Sequence, residues 1–263
     1  MIDTKSLRKK ILNLAVTGRL VKQDENDAPV SDDIKHYIPK MDIELTQIPS
    51  TWRYCKFDDV LINRDSERKP VSVSERKKLD KVYDYYGASG VIDKVDSYLF
   101  DETLLLIGED GANLLSRSTP IAFLAKGKYW VNNHAHVLAV TDYILIEFAE
   151  IVINSMSLRP FVTGAAQPKL SQNMMNKIAI PVPPLEEQQR IVDMVNCTFE
   201  ILDNIDKIQS LYVLDREVLK NKLIDAGIRG KLTNQLHEDG TAENLYVEIL
   251  EEKEELLKTG KLK

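Results

Sequence analysis

The sequence predicts an α+β protein in which a β-rich globular domain is mounted on long helices that form an antiparallel coiled-coil-like spacer. A constant 212-position offset relates Leu7-Arg8-Lys9-Lys10-Ile11-Leu12 and Ala15-Val16-Thr17-Gly18-Arg19-Leu20 to Leu219-Lys220-Asn221-Lys222-Leu223-Ile224 and Gly227-Ile228-Arg229-Gly230-Lys231-Leu232, with Gln23 and Gln235 also in register. Solenoid units run roughly 20–50 residues, so this gap means that one module brackets one intervening domain. Residues 185 to 226 contain neither proline nor glycine, and apolar residues recur there at spacings of three and four through Ile191, Val195, Phe199, Leu202, Ile205, Ile208, Tyr212, Leu219 and Leu223. Between Trp52 and Ile180, by contrast, short β-rich runs are separated by glycines.

Taken in order, Leu7, Ile11, Leu14 and Ala15 predict an amphipathic helix over residues 3 to 17, capped by Asp3 or Thr4 and stopped by Gly18. Residues 23 to 47 are polar, hold Pro29 and Pro39, and read as a connector ending at Ile48-Pro49-Ser50-Thr51-Trp52. Residues 82 to 86, 103 to 107, 121 to 124, 129 to 131 and 137 to 140 read as strands of a compact sheet, with turns at Gly87, Gly90, Gly108, Gly111 and Gly127. A helix is expected over residues 144 to 156, and Ser171 caps a further turn leading to Ile178-Ala179-Ile180. Pro181-Val182-Pro183-Pro184 forms a stiff strut, and the next helix carries Glu186 and Glu187 at the positive end of its dipole. At ~1.5 Å per residue that helix would be about 60 Å long, so part of its stripe must bury outside the sheet domain. The partners open to it are the helix at residues 3 to 17, a terminal helix near 241 to 258, or the same helix of a second copy. The expected domains are residues 1–50, 51–184 and 185–263.

At 263 residues, 43 % hydrophobic and 29 % charged, the composition is that of a soluble globular protein. No apolar run approaches the ~18 residues of a membrane span, so no membrane partner is expected and the location is read as cytoplasmic. Cys55 and Cys197 alone support neither a disulfide framework nor a cysteine-rich zinc site. The net charge of −6 argues against a uniformly basic surface. Yet residues 52 to 177 are close to balanced and include Arg64, Arg68, Lys69, Arg76, Lys77, Lys78 and Lys81, and a local basic patch can act where whole-chain charge is unhelpful.

The most specific string is Ile180-Pro181-Val182-Pro183-Pro184-Leu185-Glu186-Glu187-Gln188-Gln189-Arg190-Ile191-Val192. With Gly164-Ala165-Ala166-Gln167-Pro168-Lys169-Leu170 before it and the repeated module around it, the chain resembles the specificity (S) subunits of type I restriction-modification systems. The resemblance covers nearly the whole chain and implies a target recognition domain joined to a long spacer helix. Full subunits carry two recognition domains, whereas this sequence carries one and stops at Leu262-Lys263, so a half-subunit or a truncated product is expected.

Tyr86, Gly87 and Ser89 place an aromatic face beside a flexible turn, where backbone can approach a phosphate. Glu109, Asn113 and Arg117 offer groups that can read cytosine, adenine, and guanine or phosphate. Asn132, Asn133, His134 and His136 form a polar strand whose two histidines, at a spacing of two, would share a face. Gln167 and Lys169 lie on a loop from which an amide could reach a base and an ammonium a phosphate. Together these residues are the expected DNA contacts; Leu7, Ile11, Leu202, Ile205, Ile208, Leu219 and Leu223 are the expected dimer and partner interface. No nucleophile with a base, methyl-donor loop or P-loop ending is present, so no catalytic residue, cofactor or metal is assigned. The resemblance implies double-stranded DNA, methyltransferase (M) subunits holding S-adenosylmethionine and, through them, restriction (R) subunits as partners, with a homodimer on a bipartite symmetric site. Two rivals stand beside this reading: a metal-dependent nuclease using Asp110, His134 and His136, and a DNA-independent assembly factor or antagonist of methyltransferase subunits.

Overall fold

The structure, a computed structural model, describes residues 1–41, 45–164, 167–234 and 236–261. Gln235, the repeat partner of Gln23, the pair Ala165-Ala166 and Leu262-Lys263 lie outside the described residues. The chain divides into two compact units, Met1–Ile205 and Asp206–Lys263. Among the described residues no helix is long and apolar enough to cross a membrane.

In the first unit, helix α1 (Thr4–Val16) starts where Asp3 accepts the Ser6 amide at 3.0 Å. It stops at Gly18, whose φ of +66° is left-handed and whose missing Cβ leaves room for the Pro49 ring. The connector is not a free tether. Ile34 is buried, the Tyr37 amide donates to the Tyr54 carbonyl at 2.8 Å, and the Arg53 guanidinium donates to the Ser31 and Ile34 carbonyls.

The domain then begins with β1 (Arg53–Lys56), the short helix α2 (Phe57–Val60) and β2 (Leu61–Asn63), followed after a loop by α3 (Val73–Arg76). Next come β3 (Tyr83–Gly87), β4 (Gly90–Val95), β5 (Phe100–Asp101) and β6 (Leu104–Gly108), and then α4 (Asn113–Ser116). Strands β7 (Ala122–Ala125), β8 (Lys128–Val131) and β9 (Ala135–Val140) lead into α5 (Ile146–Ser155). Strands β10 (Val162–Thr163) and β11 (Lys169–Leu170), helix α6 (Gln172–Met175) and β12 (Ala179–Val182) complete it.

The single expected sheet is in fact two four-stranded sheets, ordered β2-β9-β6-β7 and β4-β3-β8-β5, with two-stranded pairs β1-β12 and β10-β11. Strand β6 explains why the run Leu104–Ile107 lacks alternation: both of its faces are buried. Leu105 and Ile107 join a core with Leu138, Phe148, Val152, Ile191 and Val195. Leu104 and Leu106 face the other way, toward Phe100, Tyr129, Val131 and Val137. Cys55 lies in the first core, where burial pushes its thiol up to about 12 and leaves it an inert apolar filler.

The proline strut is partly sheet: Pro181 and Val182 belong to β12 and lie opposite Tyr54 and Arg53. Proline is tolerated because, among the described residues, β12 has β1 as its only pairing neighbour. Helix α7 (Leu185–Ile228) follows. Of the two glutamates expected to cap it, only Glu186 is exposed; Glu187 is fully buried, accepting from Trp52 Nε1 at 2.9 Å and from the Gln23 side chain. Burial pushes the Glu187 carboxyl up, against the two donors that favour its charge. Gln188, equally buried, accepts the Leu145 amide at 2.7 Å and donates to the Tyr143 and Pro183 carbonyls at 3.0 and 2.9 Å. One turn outward, Arg190 grips Asp27 of the connector through two bonds of 2.8 and 2.6 Å.

Helix α1 reaches α7 where Arg8 pairs with Asp203 at 2.6 Å and lies over the Phe199 ring. Leu202, expected at an interface with a second copy, is only 4 % exposed within its own chain and so is not free to form one. Ile11 packs on the first core and Ile205 is half-buried, while Leu7, Ile208, Leu219 and Leu223 are exposed.

The second unit contains the distal part of α7 and helix α8 (Ala242–Lys258), whose Thr241 cap accepts the Asn244 amide. Its apolar residues, among them Tyr212, Leu219, Leu245 and Ile249, are exposed. The repeated module folds alike in both places. Lys231 donates to the Ala226 carbonyl at 2.8 Å as Arg19 does to Leu14 at 2.9 Å, and Gly230 has a φ of +62°.

Replacing Glu187 with alanine leaves the buried Trp52 N–H without an acceptor, at about 1–3 kcal/mol for the orphaned group, while the exposed Gln23 amide keeps the Gly18 carbonyl. Urea unfolding of the Glu187→Ala variant should show a loss of about 1–3 kcal/mol in the transition followed by tryptophan fluorescence. An unchanged midpoint would show that the joint is not held by this carboxylate.

Candidate nucleic-acid interface

Four stretches converge at one end of the first unit: residues 87–90 between β3 and β4, 109–112 after β6, 132–134 between β8 and β9, and Gln167-Pro168 leading into β11. Backbone bonds weld them together. The Asn132 amide donates to the Tyr86 carbonyl at 3.1 Å, and Glu109 donates to His134 at 2.9 Å. Leu170 donates to Glu109 at 2.8 Å, and Gly111 to Pro168 at 3.0 Å. Gly108 is glycine for a packing reason: a Cβ would sit 2.7 Å from the Ala88 carbonyl oxygen of the neighbouring turn.

The expected contacts divide sharply by accessibility. Ser89, Asn133, His134, Gln167 and Lys169 are exposed at this end. His134 Nδ1 lies 2.7 Å from the Asp110 carboxylate, and the buried Asn132 side chain accepts the His134 amide at 2.8 Å, fixing the turn beneath the exposed pair. Tyr86 is half-buried, stacked on Phe123 and set edge-on to Tyr129, and Gly87 is buried beneath Ile92 and Asn132. Asn113 and Arg117 are turned to other work. Asn113 accepts from the Ser118 hydroxyl and the Thr119 amide, while Arg117, at a left-handed φ of 50°, donates to Met156 at 2.6 Å and so caps the C-terminal end of α5.

The two histidines do not share a face as the spacing of two predicted, because His134 belongs to the turn and only His136 to β9. His136 is buried, with Nδ1 2.6 Å from Asp65 and Nε2 2.8 Å from the Leu170 carbonyl. The cluster supposed in the nuclease alternative, Asp110 with both histidines, is therefore split between surface and interior.

Around His136 the structure assembles a network that sequence spacing did not show. Arg68 donates to Glu109 at 2.8 Å and to the Ala135 carbonyl at 2.6 Å, and lies 3.2 Å from the Asp65 carboxylate. Lys169 meets the other Glu109 oxygen at 3.0 Å, and the Val137 amide donates to Asp65 at 2.8 Å. Burial works against both carboxylates. It is outweighed at Asp65 by His136, Asn63 and Val137, and at Glu109 by Arg68 and Lys169, so both acids stay below the usual carboxylate range. Ligand-type atoms of Asp65, Glu109 and His136 lie within 4.8 Å of one another, a geometry a metal ion could use. The guanidinium between the carboxylates already supplies that positive charge, so the donor set is compensated from within the chain. Chemically, the network is a stay that holds β11 against β6 and β9.

Residues 49–211 match the family described as type I restriction modification DNA specificity domain. The chain belongs to that family. Among curated members, the specificity-domain chain is 33 % identical over 139 residues to the putative type I restriction enzyme specificity subunit S.HindORF215P of Haemophilus influenzae, an alignment covering 53 % of this chain and 35 % of that one. It is 29 % identical over 133 residues to the EcoprrI specificity subunit of Escherichia coli, covering 51 % and 32 %. The chain thus spans about a third of the length of these two relatives. A solved chain from work on complex assembly and conformational transition of the type I R-M system superposes with a TM-score of 0.56 at 15 % identity, covering 87 % of this chain and 55 % of that one. The S subunit from M. genitalium gives 0.51 at 14 %, covering 82 % and 52 %. At such identities the likeness is one of fold: the specificity-domain architecture of sheets and long helix is shared.

Arg68 and Arg117 should separate structural from reading roles in the specificity domain. Removing Arg68 takes the guanidinium from the buried Glu109 and the half-buried Asp65, which keep Lys169 and His136, so Arg68→Ala should cost about 1–3 kcal/mol in urea unfolding. Arg117→Ala, which unbinds two carbonyls at the end of α5, should cost about 1–3 kcal/mol. If either variant unfolds at the wild-type urea midpoint, that arginine is free for another task.

Proposed function

We propose that this chain is a non-catalytic, sequence-specific DNA-recognition subunit of a type I restriction-modification complex. The observation that carries the reading is the convergence of four loops presenting Ser89, Asn133, His134, Gln167 and Lys169 at one welded end of a specificity-domain fold. Amides at Asn133 and Gln167 offer the paired donor and acceptor that fit adenine in the major groove, and Lys169 offers a point charge for a phosphate. Methyl transfer and cleavage belong, in this reading, to methyltransferase subunits carrying S-adenosylmethionine and to restriction subunits recruited through them.

The chain acts as a half-subunit that pairs with a second copy through the distal part of α7. Two features support this: the module at residues 219 to 232 repeats the cap geometry of residues 7 to 20, and apolar Ile208, Leu219 and Leu223 are exposed. Two-fold pairing of identical recognition domains dictates a bipartite inverted repeat, since protein symmetry is mirrored in the half-sites.

Sequencing the methylated bases of cells that express the chain with its methyltransferase should reveal a symmetric bipartite motif. An asymmetric motif removes the pairing, and no motif at all removes the recognition role. On duplexes carrying the motif, Asn133→Ala and Gln167→Ala should each cost about 1–3 kcal/mol, mainly on the preferred site, while Lys169→Ala weakens every duplex alike. Equal losses on preferred and scrambled duplexes for Asn133 and Gln167 would exclude base reading by those amides. In light scattering, Ile208→Asp with Leu219→Asp should shift the species from two copies toward one; a wild-type chain that is a single copy throughout would contradict the half-subunit reading.

A further inference from the structure

The segment from residue 64 to 81 divides its cations into paired and unpaired groups. Each arginine is paired. Arg64 binds Glu67 and Glu102 at 2.6 and 2.7 Å, Arg68 binds Glu109 and Asp65, and Arg76 binds Asp93 at 2.8 Å while lying 4.6 Å over the Tyr85 ring. Lys81 shares Asp93 at 2.9 Å and donates to two carbonyls besides. Further bonds press the strap to the second sheet: Trp130 Nε1 donates to the Lys69 carbonyl at 2.6 Å, and the Val71 amide donates to the Tyr85 hydroxyl at 2.9 Å. A Ser72–Glu75 capping box stiffens the turn of helix between them. Lys69, Lys77 and Lys78 remain exposed, and among the described residues none of their ammonium groups pairs with a carboxylate.

The strap also runs beside the reading loops. Arg68 shares the Glu109 carboxylate with Lys169, so Lys69 is one residue from the anchor of β11. Arg76 is fastened to Asp93, which lies opposite Tyr85 and so two residues, about 7 Å of strand, from the 87–90 turn.

We propose that Lys69, Lys77 and Lys78 form a phosphate-binding rail, a second DNA contact beside the base-reading loops. The inference rests on the recognition role proposed above. Exposed ammonium groups with no carboxylate partner suit the regularly spaced charges of a duplex backbone, which carry no sequence information. On a chain of net charge −6 such a rail supplies attraction where the loops need it.

The test uses the full chain with its methyltransferase, a duplex carrying the methylated motif and a scrambled duplex of equal length. Each phosphate contact contributes about 0.9 to the slope of log affinity against log salt. The variant Lys69→Gln, Lys77→Gln, Lys78→Gln should therefore flatten the slope by about 2–3 on both duplexes and leave their affinity ratio unchanged, while Lys→Arg at the same positions retains it. An unchanged slope, a loss confined to the motif duplex, or loss of the methyltransferase subunits on purification would each overturn the rail. The wild-type complex serves as control: if it binds neither duplex, the recognition role fails instead.

Discussion

A polar group taken out of water costs free energy unless it finds a partner, and nowhere does that constraint organise more of the chain than at the first turn of α7. Glu187 and Gln188 are fully buried, yet between them they satisfy Trp52 at the domain's entry, Gln23 in the connector, and backbone at Tyr143, Leu145 and Pro183. An unpaired buried amide or indole costs about 1–3 kcal/mol, so the arrangement tolerates few alternatives. Three segments distant in sequence are thereby fixed at one point, and the direction in which α7 leaves the domain is fixed with them. Hydrophobic packing alone, being non-directional, would not define that angle.

The loop end follows the same logic with charges in place of amides. Two buried carboxylates would be untenable beside each other, and Arg68, Lys169 and His136 are what make them tolerable. Because those partners come from three separate stretches, satisfying the charges also locks the loops in register. The exposed side chains above can then vary without disturbing the support, since none of Ser89, Asn133 or Gln167 takes part in it.

Periodicity made the helices legible: α1, α5, α7 and α8 lie where apolar spacing placed them, because each packs or presents one face over several turns. Strands β3, β6, β7, β8 and β9 were legible as β-rich runs between glycines. Strand β12 was hidden by Pro181, which is admissible because, among the described residues, β12 pairs with β1 alone, and β1 by having just four residues. The expected Tyr86, Asn132 and His136 contacts were chosen for chemistry that a strand can equally use inward. Arg68 and Asp65 were invisible as partners because the loop that brings them to Glu109 follows no sequence rule. Leu202 fits the stripe of α7 as well as Ile208 does, and only the fold shows that it is already buried within its own chain.

The pairing of β1 with β12 means that the chain enters and leaves the recognition fold through two neighbouring antiparallel strands, with Cys55 opposite Ile180. Everything between is a closed excursion from a single doorway. An exchange of the intervening sequence, by recombination or by design, would have to keep that doorway, the Trp52–Glu187 joint behind it, and the core face on which α1 and the first turns of α7 pack. New reading surfaces could then be installed at the loop-bearing end without renegotiating the helices, and the smallest transferable unit runs from β1 to β12 inclusive, not from one exposed loop to the next.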